Sequence, residues 1–193
     1  MEKAVFLDRD GTLIYDKHYL DTPEGVEWYE GAFDALKTLR KAGFVLIIIT
    51  NQSGVARGKM NEEDVRAIHD RIREDLDENG IKVEDFYYCP YLEDATVKEY
   101  RRDSRLRKPS PGMILDAADE HDLDLSRSYM IGDKPSDVEA GSRAGTRTVL
   151  VGTGKDVTPQ EFPADHSAPD YYVDSIVEAA RTIREASRRE STT

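Results

Sequence analysis

Four short stretches carry residue types able to do phosphate chemistry: Asp8-Arg9-Asp10-Gly11-Thr12, Thr50-Asn51-Gln52-Ser53-Gly54, Arg107-Lys108-Pro109 and Gly132-Asp133-Lys134-Pro135-Ser136-Asp137. A carboxylate can attack a phosphoryl group to form an aspartyl phosphate, which divides a difficult hydrolysis into two steps. The obstacle is electrostatic. At about 3.3 Å and an effective dielectric near 20, two like unit charges repel by roughly 5 kcal/mol, so cations must sit beside the nucleophile. Mg²⁺ takes one or two carboxylates together with phosphate oxygen and water, and Asp8 and Asp133 can supply those carboxylates. Lys108 adds a second positive charge, and the Thr50 hydroxyl with nearby backbone N–H groups can hold phosphoryl oxygens. The leaving alkoxide needs a proton and the intermediate an activated water, so a second carboxyl can serve as acid and then base. Asp10 fits, because a spacing of two places it on the same side of an extended chain as Asp8. Taken singly, the stretches have plainer readings. Asp-x-Asp-Gly suits an ordinary turn or the start of a calcium loop, although no long EF-hand loop follows it; Gly-Asp is a common turn pair, and a lone lysine is usually solvated.

These residues need elements to position them. Apolar, β-rich runs at 4–7, 44–49, 86–89, 129–131, 148–151 and 171–173 read as strands. Helices fit between them. The clearest starts at an Asn61 cap, has Glu62, Glu63 and Asp64 in its first turn and Val65, Ile68, Ile72 and Leu76 on one face, and stops at Gly80. Others span about 32–41, ending at Gly43, and run from a Ser110 cap with Pro111 at the first helical position towards His121. Two more fit 136–144 and 175–186. Such alternation predicts an α/β fold, a doubly wound and mainly parallel sheet covered by helices on both faces. In that fold ligands bind beyond the carboxyl ends of the strands, which is where three of the four stretches fall.

In this order and spread across most of the chain, Asp8 to Thr12, Thr50, Lys108 and Gly132-Asp133 resemble the four motifs of the haloacid dehalogenase (HAD) superfamily of phosphatases. Longer stretches, Thr50 to Gly58, Tyr87-Tyr88-Cys89-Pro90, Arg107-Lys108-Pro109 and Tyr129 to Lys134, are similar to its heptose 1,7-bisphosphate phosphatase branch. The resemblance implies a Mg²⁺-dependent phosphatase with Asp8 as nucleophile and Asp10 as acid/base. Asp8, Asp133 and the Asp10 backbone carbonyl would hold the metal, and Thr50 and Lys108 would stabilise the transferring phosphoryl group. Asn51, Gln52 and Ser53 would line the phosphate end of the pocket, and Arg107 would recognise the sugar or its second phosphate. Asp16, Lys17, His18, Tyr19 and Lys134 would complete the substrate contacts. His18 and Tyr19 read equally well as exposed loop residues, and Arg107 as a surface guanidinium. Asp137 is expected to orient Lys108 or cap its helix. Many members of the branch carry a structural zinc, but here the ligand positions read Cys89, Tyr91, Ser104 and Leu106, and one thiolate cannot hold a tetrahedral ion, so no zinc is expected. Tyr91, Tyr100, Arg101, Arg102 and Arg105 would then order that loop, or form a basic rim.

A chain of 193 residues with 38% hydrophobic content suffices for one core. The expectation is one domain over 1–186 with a polar tail over 187–193, fraying from about Arg184. Neither the segment between Thr12 and Thr50 nor that between Thr50 and Lys108 has room for a folded cap of about 50 residues, so no large cap domain is expected. A net charge of −12 argues against nucleic acid or an anionic membrane as partner. No apolar run is long enough to span a bilayer, and the single cysteine suits a reducing cytoplasm. The partner expected is a phosphorylated sugar as substrate of a monomeric protein, with histidinol phosphate or another small sugar phosphate as the alternative substrate. From another class, receiver modules of signalling proteins share the strand-end aspartate, Thr/Ser and Lys, but place their acidic pair beside a separate phosphoacceptor, whereas Asp8 and Asp10 share one turn.

Overall fold

Strands that are apolar on both faces need cover on both sides, and the computed structural model of the protein supplies it. It describes residues 1–153 and 168–190. In chain order the elements are β1 (Ala4–Leu7), α1 (Ala32–Lys41), β2 (Val45–Asn51), α2 (Ser53–Ala56), α3 (Glu62–Glu78), β3 (Asp85–Cys89), α4 (Gly112–Glu120), β4 (Tyr129–Gly132), α5 (Pro135–Ala144), β5 (Arg147–Val151), β6 (Tyr171–Val173) and α6 (Ile176–Glu190). The strands form one sheet in the order β3-β2-β1-β4-β5-β6, and every pairing is parallel. Alternate residues divide the core. Val5, Leu7, Leu46, Ile48 and Ile131 pack with apolar residues of α1, α3 and α6, while Phe6, Ile47, Ile49 and Met130 pack with Met113 and Ile114 of α4 and Ala140 of α5.

The order of the sheet locates the ligand crevice. The chain adds β2 and β3 on one side of β1, then crosses back to place β4 on the other, so strand order reverses between β1 and β4. Leu7 lies opposite both Ile48 and Ile131, which sets the next residue, Asp8, between the ends of β2 and β4.

Local signals hold with two corrections. The Asn61 side chain accepts from the Glu63 and Asp64 amides, and the Asp64 carboxylate accepts from the Asn61 amide, a reciprocal cap for α3. In α4, by contrast, Ser110 is not the cap: the helix begins at Gly112, Pro111 precedes it, and no side chain caps it. The Gly112 amide instead donates to the Arg105 carbonyl at 3.0 Å, and that backbone comes so close that a Cβ on Gly112 would meet it at 2.2 Å. α6 runs past Arg184, where fraying was expected to begin, to Glu190. Its Ala180 and Ile183 are buried, and the Lys3 ammonium donates to the buried Ser187 hydroxyl at 2.7 Å.

One buried group couples the fold to pH. His69 of α3 is 6% exposed, faces the rings of Phe86 and Tyr88, and its Nε2 has no partner. Burial, with the nearby Arg9 and Arg73 charges, lowers its pKa to about 3. The folded value lies below the unfolded one, so the contribution is present above about pH 6.5 and lost as pH falls towards 3. Unfolding free energy should fall by about 2 kcal/mol from this group between pH 7 and 5. His69→Phe should flatten that part of the curve in urea titrations; an unchanged slope would show that the imidazole is not the group responsible.

Candidate active site

The three central strands deliver Asp8, Thr50 and Asp133 to one edge of the sheet. Asp8 leaves β1 with its amide donating to the Ile131 carbonyl at 2.9 Å, Thr50 lies near the end of β2, and Asp133 follows β4. The turn after Asp8 is tight: Leu13 and Ile14 amides both donate to the Arg9 carbonyl, and Gly11 takes φ +89°, a conformation that favours glycine. A Cβ there would also lie 2.3 Å from the Asp133 carboxylate.

Lys108 is the electrostatic centre. It is 4% exposed, and its ammonium lies 2.7 Å from Asp8 Oδ1 and 2.6 Å from Asp137 Oδ1, and donates to the Ile49 carbonyl at 3.2 Å. Burial works to lower its pKa, but Asp137 and Asp8 outweigh that and hold the ammonium above its usual range. For Asp8, burial favours the neutral acid, yet Lys108 and Lys134 hold the carboxyl below its usual range. Asp133 goes the other way: burial, then the Asp8 and Asp137 charges, push it up to about 9. The same burial raises Asp137. Asp137 performs both of its expected tasks, since its other oxygen accepts from the Lys134 amide at 3.0 Å at the start of α5.

The donor set fits a hard divalent cation. Asp8, Asp133 and Asp137 offer oxygens within 4.8 Å of one another, but Asp137 is spent on Lys108 and the Lys134 amide. Asp8 and Asp133 remain, and Asp133 Oδ1 is buried without a hydrogen-bond partner. A divalent cation between the two would remove the repulsion that raises Asp133.

Asp10 is positioned by two neighbours. Buried Arg9 donates Nε to Oδ2 at 2.9 Å and Nη2 to Oδ1 at 3.1 Å, while Gln52 Nε2 donates to Oδ2 at 2.9 Å and to the Thr50 hydroxyl at 2.8 Å. Asn51 closes a double bond with the Lys108 backbone, accepting from its amide and donating to its carbonyl, both at 3.0 Å. Asn51 and Gln52, expected to meet substrate, therefore spend their amides on holding Lys108, Asp10 and Thr50 in place. Arg9 went unnoticed in the sequence. The only available signal was that a charged residue at the exit of a wholly apolar strand must be buried against a partner.

A cavity of about 40 Å³ is lined by Asp8, Asp10, Thr50, Asn51, Lys108, Lys134, Ser136 and Asp137. An adjoining one of about 110 Å³ adds Arg9, Asp16, His18, Tyr19, Gln52 and Ser53. Asp16, His18, Tyr19 and Lys134 line these adjoining cavities together, with Lys134 Nζ 3.4 Å from Asp16 Oδ2. Two expected contacts do not join them. Lys17 pairs with Glu27 at 3.0 Å, and Arg107 donates to the Tyr91 carbonyl at 3.3 Å, so neither lines these cavities. The loop beyond Cys89 is ordered by its own side chains: Leu92 and Ala95 pack on Ala56, Arg102 stacks over the Tyr91 ring at 3.6 Å, Arg101 donates to the Ala95 carbonyl, and Arg105 makes a bidentate pair with Asp116. Cys89 is buried, as expected.

Asp8, Thr50, Lys108 and Asp133 thus meet at one edge of the sheet, with carboxylates, a hydroxyl and a buried ammonium beside one small cavity. A family model described as HAD-hydrolase-like matches residues 105–179. The D-glycero-beta-D-manno-heptose-1,7-bisphosphate 7-phosphatase of Escherichia coli K12 is 38% identical over 182 residues, 94% of this chain and 93% of that protein. The chain belongs to this family of HAD-like phosphatases. The enzyme of the same name from Rhodopseudomonas palustris is 46% identical over 142 residues, 74% of this chain and 79% of that one. Among solved structures, the D,D-heptose 1,7-bisphosphate phosphatase from B. bronchiseptica, complexed with magnesium and phosphate, superposes with a TM-score of 0.81 at 29% identity, covering 95% of this chain and 99% of that one. This HAD-like phosphatase is therefore a hydrolase whose described residues form an all-parallel sheet with no large separate cap among them, and the receiver-module alternative falls. Among the described residues no helix is long and apolar enough to cross a membrane.

Proposed function

We propose that this HAD-like phosphatase removes the 7-phosphate of D-glycero-β-D-manno-heptose 1,7-bisphosphate through an aspartyl phosphate on Asp8. The observation that carries this reading is the convergence of Asp8, Asp10, Thr50 and Lys108 on one cavity, in a chain whose relatives act, by name, on that sugar. Asp8 attacks phosphorus while the Lys108 ammonium offsets the charge of the phosphoryl oxygens and the Thr50 hydroxyl donates to one of them. The bond from phosphorus to the sugar oxygen breaks, and Asp10 gives that oxygen its proton. Asp10 then takes a proton from the water that hydrolyses the acyl phosphate, which restores Asp8 and releases phosphate. Mg²⁺ held by Asp8 and Asp133, with the Asp10 backbone carbonyl, supplies further charge neutralisation when bound. Asp16, His18, Tyr19, Ser53 and Lys134 form the wall nearest the sugar.

Phosphate release with Mg²⁺ tests the reading across both anomers of heptose 1,7-bisphosphate, histidinol phosphate, fructose 1,6-bisphosphate and a 3′-phosphorylated oligonucleotide. At least a tenfold preference for the β anomer is expected; uniformly weak turnover, or a preference for histidinol phosphate, would remove the assigned substrate. Because the loop is packed without the missing ligands, elemental analysis of the purified chain should find no stoichiometric zinc. One equivalent per chain would contradict that.

A further inference from the structure

Gln52 joins the two groups beside Asp8 that handle protons, the Asp10 carboxyl and the Thr50 hydroxyl. It stands between β2 and α2, 6% exposed, and its backbone amide donates to the Cys89 carbonyl at 2.8 Å, so its side chain leaves a fixed backbone. Its Nε2 donates to Asp10 Oδ2 at 2.9 Å and to the Thr50 hydroxyl at 2.8 Å, which uses both N–H bonds of the amide. The partners dictate which way the amide faces. A carboxylate can only accept, so nitrogen rather than oxygen must meet Asp10.

These bonds give each proton a direction. Because Nε2 cannot accept, the Thr50 oxygen is the acceptor in their contact, and its own O–H is left to donate into the cavity that Thr50 lines with Asp8 and Lys108. Among the described residues no group accepts from that hydroxyl. For Asp10 the lone pairs decide. A carboxylate offers about four acceptor sites, shared equally between its oxygens. Oδ2 receives Arg9 Nε and Gln52 Nε2, both at 2.9 Å, so its sites are taken, and Arg9 Nη2 also stands 2.9 Å from it. Oδ1 receives only Arg9 Nη2, at 3.1 Å, among the described donors. The site left over belongs to Oδ1. A proton on Oδ2 would instead displace one of the N–H donors already bonded there, and a buried donor left without its acceptor is costly.

We propose that Gln52 is a positioning residue for both proton-handling groups: it turns the Thr50 hydroxyl into a donor towards the phosphoryl oxygens and reserves Asp10 Oδ1 as the oxygen that carries the catalytic proton. Oδ1 then gives its proton to the ester oxygen as the bond from phosphorus to that oxygen breaks. The same atom takes a proton from the water whose oxygen attacks phosphorus, which releases the Asp8 carboxylate and phosphate. Without the amide nothing fixes the direction of the Thr50 hydroxyl, and a site on Oδ2 opens as a rival seat for the proton. The inference rests on the roles proposed above for Asp10 and Thr50, and holds for any phosphate ester that the site accepts.

Gln52→Met keeps the length of the side chain and removes its donors, and kcat/KM is read for esters whose leaving groups grade from p-nitrophenol through p-methoxyphenol to an alkyl alcohol. A nitrophenolate leaves unaided, so the loss there, from Thr50 alone, should be about severalfold and below about tenfold. The alkyl ester needs the Asp10 proton, and its loss should be at least about tenfold greater. A variant damaged only in its fold would lose the same factor on every ester, and that outcome, or no loss at all, would overturn the proposal. Should Gln52→Met fail to fold, Gln52→Glu keeps the shape, accepts from Thr50 rather than donating to it, and should give the same graded loss. Asp10→Asn measured in parallel separates this inference from the reading beneath it. If that variant shows no grading, the acid/base assignment fails and this inference with it; grading in Asp10→Asn but not in the Gln52 variants overturns this inference alone.

Discussion

Asp8→Asn should lower phosphate release on the order of 10⁴-fold or more while leaving the fold intact. The amide has the size of the carboxyl but cannot form a stable acyl phosphate, so no phosphoenzyme should be trapped on acid quenching. Stability should change little for a buried charge partner, because Lys108 keeps Asp137 at 2.6 Å and the Ile49 carbonyl at 3.2 Å. Removing Asp8 also removes one of the charges that raise Asp133, which offsets part of the loss. Steady-state assays beside thermal melts check both parts. Near-normal turnover in a folded variant would show that Asp8 is not the nucleophile.

Asp10→Asn should separate the two chemical steps. A sugar alkoxide is a poor leaving group and needs the proton that Asp10 supplies, so turnover of a sugar phosphate should fall about 10²- to 10⁴-fold. An aryl phosphate with an acidic phenol leaves without that proton. With p-nitrophenyl phosphate the variant should therefore show a burst of about one nitrophenolate per site, followed by slow turnover, because the water that attacks the acyl phosphate has lost its base. A purely structural defect would slow both substrates alike and give no burst. Asp10 also neutralises buried Arg9, so the variant should lose about 3 kcal/mol of stability, and rates belong at temperatures well below its melt. The geometry explains why Asp10 is a precise partner: three N–H donors, two from Arg9 and one from Gln52, restrain its carboxylate, and Gln52 ties it to the Thr50 hydroxyl.

Much of this was legible in the chain itself. Alternation of β-rich runs with helix-period segments fixes a doubly wound sheet, because strands apolar on both faces must be covered on both. The boundaries of β1, α1 and β6 follow directly from residue type. So does the placement of Asp8, Thr50 and Asp133 just where three strands end, and the capping role of Asn61, whose side chain acts within its own turn. Signals of this kind are local, carried by residues a few positions apart.

What tertiary structure decided depends on partners far apart in sequence. Whether Asn51 reads substrate or the Lys108 backbone cannot be known until residues 57 positions apart are brought together, and the same holds for Gln52 with Asp10. Arg107 and Lys17 carry the right charge for a substrate contact, but which groups they pair with, the Tyr91 carbonyl and Glu27, shows only in the folded chain. The start of α4 moved past Ser110 because the Arg105 carbonyl, rather than a side chain, met the Gly112 amide, and Lys3 reaches Ser187 of α6 across the fold. Residue type set which chemistry the chain can perform. Only long-range packing and the low dielectric of the interior determined which of those side chains are free to perform it, since a buried polar group must first satisfy its own hydrogen bonds.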